Sequence, residues 1–314
     1  MGLKLPNELM FLRNSRAVQK QSTELMEGKT VVISGSTSGV GYEALKRFAQ
    51  GKANLIMVCR NADKANTIKA EIESAYHVTV DYFLADFSDL TQVRNAASEI
   101  NKKYPHIDVL INSTGLHSTK KLYNKDGYEL VFTVNHLSTF LFTQLLLPTM
   151  IASSPSRIIQ VNSEGHRFNG LNINDLNFKK RLYTGLKSYG QSKTAQLLIV
   201  WQMAEDLKDT GVTINAMHPG GVRTNIGSNN GKLYNWFLHH VTWHFLKDPK
   251  ISGEALYYLA SSKDLEQVTG KFFNLTIEEI PAKHALNPIM QKKIWDKSIE
   301  MIQLQKKDVS FHEL

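Results

Sequence analysis

The chain has 314 residues, 42% of them hydrophobic and 21% charged, which is enough for one large α/β domain with a proper core. A single cysteine, Cys59, excludes an internal disulfide and suits a reducing compartment. The formal charge of +8 reads as a solvated basic surface, with attraction to a phosphorylated cofactor or to an anionic membrane as competing readings. No zinc-ligand spacing and no basic block with interleaved aromatics points to a nucleic-acid module. With no run near the roughly 20 apolar residues that span a bilayer and no leader pattern, the expected location is cytoplasmic, with peripheral membrane contact left open.

In chain order, residues 1 to about 27 read as a polar, weakly amphipathic arm. The β-branched run 30–34 predicts a strand ending in glycines, with a helix from about 41 to 50 behind it. A second strand is expected over 53–59, a helix over 62–74 and a third strand over 78–84. Apolar positions recur at helical spacing through 90–103. A fourth strand follows at 107–112, a long helix at 127–151, a fifth strand at 157–161, another long helix at 185–209 and a sixth strand at 212–217. Residues 225–248 form an aromatic-rich insertion, and no element is assigned between it and a late strand at 270–274. From about Pro288 the chain reads as one amphipathic helix and a loose tail. Strands separated by helices of this length predict a doubly wound parallel sheet of Rossmann type, covered on both faces.

Gly35-Ser36-Thr37-Ser38-Gly39-Val40-Gly41 lies between the first strand and the first helix. Glycines there permit the unusual backbone angles of the turn and a close approach to a pyrophosphate at the helix N-terminus. The second strand ends in Cys59-Arg60-Asn61 without an acid, so Arg60, with Lys64 nearby, favours the 2′-phosphate of NADP(H) over NAD. Asp86, beside Phe87 after the third strand, is placed to accept from the adenine amino group, and helix capping competes for it. Tyr189 and Lys193, four apart on a helix, share a face. A neighbouring ammonium lowers a tyrosine pKa, and two or three units would make Tyr189 an acid/base near neutrality.

The order of these motifs resembles the short-chain dehydrogenase/reductase family from about Gly28 to Phe273. Ser34-Gly35 through Gly41 matches its glycine motif, with serine for threonine, and Tyr189-Gly-Gln-Ser-Lys193 matches its Tyr-x-x-x-Lys. Ser163 falls where the family has a carbonyl-orienting serine. Asn135 falls on the asparagine of its water-mediated proton relay. Pro219, Gly220, Val222 and Thr224 match a segment that contacts the nicotinamide carboxamide. Cys-Arg-Asn at 59–61, Val134-Asn135-His136-Leu137 and the wide gap from Ser163 to Tyr189 look like the retinol dehydrogenase-like branch. Asn112-Ser113-Thr114-Gly115 departs from the family's Asn-Asn-Ala-Gly, keeping Asn112 and Gly115 for the turn.

The resemblance implies hydride transfer between NADP(H) and a carbonyl or its alcohol, with Tyr189 as acid/base and Lys193 also holding the nicotinamide ribose. A non-catalytic NADP-binding regulator is the alternative, and Ser163, Tyr189 and Lys193 together argue against it. Residues 28–287 are then the catalytic domain, and the insertion 225–248, rich in Trp and Phe, sits where the family places a substrate lid, implying a lipophilic small-molecule substrate. A dimer interface or plain core packing competes for that segment. Glu164 and His166 lie near the presumed site, with substrate contact one reading of the first and a loop role open for the second. Of the histidines, His240 and His244 have helix-face metal spacing, but no third ligand is evident and no metal is expected.

Overall fold

The computed structural model describes residue 14, residues 17–222 and residues 246–304. Among the described residues, eight strands form one sheet in the order β3-β2-β1-β4-β5-β6-β7-β8. They are β1 (Thr30–Ser34), β2 (Asn54–Cys59), β3 (Val80–Leu84), β4 (Val109–Asn112), β5 (Ser156–Val161), β6 (Val212–His218), β7 (Phe272–Asn274) and β8 (Ile277–Glu279). β1 through β7 pair parallel, so the Rossmann-type expectation holds for them. β8 pairs antiparallel with β7, a short hairpin edge that the strand-helix rhythm did not suggest.

Helices α1 (Gly39–Gln50), α2 (Ala62–Tyr76) and α6 (Lys250–Ser261) cover one face of the sheet. Helices α3 (Leu90–Lys103), α4 (Leu130–Ala152), α5 (Gly185–Asp206) and α7 (Pro288–Ile302) cover the other. Alternation along β1 serves both cores, since Val31 and Ile33 face α1 and α6 while Val32 faces α3 and α4. α6 had no counterpart in the sequence reading. It packs closely on α1 because Gly253 has no side chain, and a Cβ there would stand 2.6 Å from the Glu43 carbonyl oxygen.

α4 corrects one expectation. By length and composition it is apolar enough to cross a membrane, yet 89% of its apolar window is buried inside the protein, as befits a core helix. Its residues Thr133–Leu137 form a π-helical turn. The described part of the arm packs against α6 and the β7–β8 turn. Lys20 N–H donates to Thr276 Oγ1 (2.9 Å), and the Ser22 and Ser261 hydroxyls meet at 2.8 Å.

The winding direction reverses between β1 and β4, so the loops after these two strands part and leave a crevice at their C-terminal ends. That crevice is the site.

Candidate active site

A cleft of about 770 Å³ opens at this switch point. Its floor is the turn from β1 into α1. Gly35 and Gly39 have φ of +68° and +56°, the left-handed region that favours glycine. Gly41 meets a different demand. A Cβ there would stand 2.3 Å from the Gly35 carbonyl oxygen, so the turn closes on itself only without one. Ser34 Oγ accepts from the Ser113 and Thr114 N–H groups at 3.2 and 3.3 Å, tying the turn after β4 to the glycine turn. Serine and threonine at 113 and 114 are therefore compatible with that turn.

At the far end of β2, Arg60 and Lys64 line the cleft and are exposed. Asn61 lines it too, but its side chain caps α2, accepting from the Lys64 N–H at 2.8 Å. Asp86 also lines the cleft, with Oδ1 accepting from the Ser88 N–H at 2.8 Å, so turn-capping occupies part of its carboxylate. Phe87 is buried, packs edge-on against Phe142 and is part of the cleft lining.

Ser163, Tyr189 and Lys193 meet on the same cleft. Ser163 ends the extended run after β5 and begins a short 3-10 turn, where its Oγ accepts from the Gly165 N–H at 3.1 Å. The Tyr189 hydroxyl lies beside the Ser163 side chain, which favours the ionised phenol. Lys193 Nζ donates to the Val161 carbonyl and to Gln196 Oε1, each at 3.0 Å, and lies 5.6 Å from the Tyr189 ring centre.

The electrostatics differ from the expectation. Burial pushes the Tyr189 phenol up to about 12, partly offset by Ser163. Burial likewise brings Lys193 down to about 7. Burial, and not Lys193, sets the direction of the phenol's shift. Tyr189 is thus a protonated phenol at neutral pH, the form that gives a proton.

Asn135 does not reach the cleft. It sits on the π-helical turn with its Oδ1 accepting from the Leu116 N–H (2.7 Å) and its Nδ2 donating to Leu116 O (3.0 Å) and Ser192 Oγ (2.9 Å). Asn112 is also withdrawn, donating to Thr143 Oγ1 at 2.7 Å. Ser36 and Gly41 lie beneath the lining rather than on it, while Thr37, Ser38, Gly39, Val40 and Gly115 form part of it. Pro219, Gly220 and Val222 line the cleft near Leu246, and Gly220 has φ +82°. Thr224, the aromatic residues of 233–245 and the His239, His240, His244 group lie outside the described residues.

Glu164 points away from the cleft, into a buried pair of ion bridges. Arg167 joins it to Glu279 on β8, with a 2.9 Å contact to Glu279. Burial pushes the Glu164 carboxyl up, and Arg167 opposes this. His166 is buried, with Nδ1–H donating to Ser163 O (2.7 Å) and Nε2 accepting from the Ala282 N–H (3.2 Å). Both residues brace the backbone that presents Ser163. Neither Gly165 nor Gln196 stood out in the sequence, and no motif could have marked them.

The sequence matches the family model described as short chain dehydrogenase over residues 29–234. The chain belongs to the short-chain dehydrogenase family. It is 32% identical to human retinol dehydrogenase 13 over 291 residues, covering 90% of this chain and 87% of the relative. It is 34% identical to human retinol dehydrogenase 14 over 298 residues, covering 90% and 88%. This short-chain dehydrogenase therefore falls in the retinol dehydrogenase-like branch. Its fold matches that of a Mycobacterium paratuberculosis protein with a TM-score of 0.75 at 24% identity, covering 92% of this chain and 99% of that one. A Burkholderia cenocepacia short chain dehydrogenase solved with NADP aligns at a TM-score of 0.63 and 19% identity, covering 83% and 99%.

Membership makes the protein an oxidoreductase of carbonyl and alcohol groups that uses a nicotinamide cofactor. The residues present fit such a group. The side chain of Ser38, at the N-cap of α1, makes no capping bond, so the first N–H groups of the helix face the cleft beside the glycine cradle.

Proposed function

We propose that this short-chain dehydrogenase is an NADP(H)-dependent carbonyl reductase, reversible to the alcohol dehydrogenase, with a lipophilic small-molecule substrate. The observation that carries the reading is the meeting of the Ser163 and Tyr189 hydroxyls, with Lys193 behind them, in the cleft that holds the glycine cradle. When bound, the nicotinamide supplies or accepts the hydride. Ser163 donates to the carbonyl oxygen and stabilises its growing charge, while Tyr189 gives it the proton. A phenol held near 12 is fully protonated at pH 7, which favours the reductive direction. Lys193 binds the cofactor ribose through the N–H that Val161 and Gln196 leave over.

The choice of NADP(H) is supported by Arg60 and Lys64 at the end of β2, where no carboxylate would repel a 2′-phosphate. The lipophilic substrate is supported by the names of the relatives, which are retinol dehydrogenases, and by Leu116, Leu122 and Leu246 in the cleft wall. For location, the reading is cytoplasmic with peripheral membrane contact, supported by Leu182 and Leu186, exposed at 78% and 73% among Lys179, Lys180 and Lys187.

The test is incubation with NADPH or NADH and a graded series of aldehydes and ketones, following absorbance of the reduced cofactor. Net oxidation, faster with NADPH and with longer apolar substrates, is expected. Cofactor that binds without being consumed would favour the regulator reading instead.

A further inference from the structure

Lys193 is held by a residue that belongs to no recognised motif. Gln196, one turn further along α5, is 3% exposed. Its Oε1 accepts from Lys193 Nζ (3.0 Å) and from Asn162 Nδ2 (3.1 Å). Its Nε2 donates to the Asn135 carbonyl oxygen. That oxygen also accepts from Thr139 Oγ1 at 2.6 Å, so both of its lone pairs are taken. Asn162 in turn accepts from the Ser163 N–H at 2.8 Å, which joins the same network to the backbone of Ser163. Behind Gln196 lies a cavity of only about 10 Å³, lined by His136, Thr143 and Gln160 among others. That is at the lower limit for one water molecule.

We propose that Gln196 is a positioning residue that clamps the Lys193 ammonium and seals the inner side of the catalytic site with a side-chain amide. A water bridging Lys193 to the Asn135 carbonyl would exchange protons with solvent. An amide in that place does not, because its N–H is too weak an acid and its oxygen too weak a base to pass a proton at neutral pH. Asn135 meets this network through its backbone oxygen. Lys193 keeps one N–H for the cleft, aimed by the two bonds that fix its others.

Among the described residues, the titratable groups facing Lys193 are few. On its own helix there is Tyr189. From the end of β6 there is His218, which burial and the charges of Arg167 and Lys193 keep neutral. β5 and the residues after it present Val161, Asn162 and Ser163, and α4 presents Asn135, none of which titrates in this range; His136 on α4 turns instead to Ser298. The charge of Lys193 therefore responds directly to what stands at position 196.

The inference rests on the proposed role of Lys193 only for its catalytic consequence. Its test uses cofactor-free protein. Lysine is labelled with 13C, the Cε resonance is followed against pH, and Lys193→Arg assigns the signal. In the unaltered protein the midpoint is expected near 7. Gln196→Glu places a carboxylate on the ammonium and should raise the midpoint by at least about one unit. Gln196→Met keeps the length, offers no acceptor and admits no water, and should lower it. Midpoints that stay put, or move the same way in both variants, would overturn the clamp. If one variant does not fold, the direction of shift in the other decides. A protein that reduces no carbonyl would defeat the proposed function and leave this result untouched.

Discussion

Gly165 lies against the ring of Tyr189. A Cβ at position 165 would stand 3.0 Å from both Cδ1 and Cε1 of that ring and 3.4 Å from Ser163 Oγ. The 3-10 turn after Ser163 thus has room for the tyrosine only because one of its residues lacks a side chain. Gly165→Ala should push the ring by a few tenths of an ångström and shift its hydroxyl relative to Ser163. Because small misplacements of reacting groups cost up to about 100-fold, kcat should fall by about 10- to 100-fold. Cofactor affinity should hold, since the glycine cradle is untouched. Steady-state kinetics and cofactor fluorescence titration separate the two, and an unchanged kcat would show that the contact does not position the ring.

Tyr189→Phe removes the proposed proton donor and keeps the ring. Turnover should fall by about two to four orders of magnitude with cofactor affinity nearly unchanged. Lys193→Ala should damage both turnover and affinity. A lysine variant that binds cofactor normally would argue against the ribose contact.

Arg60 is exposed at the cleft edge, so its replacement should leave stability alone. Arg60→Asp should weaken NADPH far more than NADH, because the charge-assisted contact to the 2′-phosphate becomes repulsive. The ratio of kcat/KM for the two cofactors reads this out. An unchanged ratio would make Arg60 a bystander and NAD(H) an equal candidate.

Three histidines, His136 and His166 in the core and His218 half-buried at the cleft, are each brought down to about 3, by desolvation first. Their ordinary value is about 6.5, so between the two values the unfolded chain binds protons that the folded one refuses. Their contribution to stability is full above about pH 6.5 and is lost as pH falls towards 3. Three such groups give a slope of up to roughly 4 kcal/mol per pH unit in that window. Urea unfolding at pH 7, 6 and 5 should show a steep fall in midpoint, and a flat response would show that these rings accept protons in the folded state.

Much of the architecture was legible in the sequence because it is written in local patterns. The β-branched run 30–34 and the periodic stretch 90–103 became β1 and α3 with the bounds expected. The glycines at 35, 39 and 41 announced a turn through backbone angles and close approach, which depend on residue type alone. The four-residue spacing of Tyr189 and Lys193 placed them on one helical face before any tertiary contact was known.

Other features were decided only by packing. β8 is three residues long and is a strand because β7 offers it an edge, not because of its own propensity. α4 has the composition of a membrane span and becomes a core helix because α3, α5 and the sheet close around it. Tyr189 was expected to lose its proton more easily beside Lys193, but only the folded chain determines how far both are removed from water, and desolvation won. Glu164 reads as a charge next to a catalytic serine, yet its partner Arg167 is shared with Glu279, 115 positions further on, which no local pattern connects. Gly165 and Gln196 act through neighbours brought together by the crossing of β5 and α5. Residue type and spacing thus determined which chemistry the chain carries, while burial, register and distance decided which side chains are free to perform it.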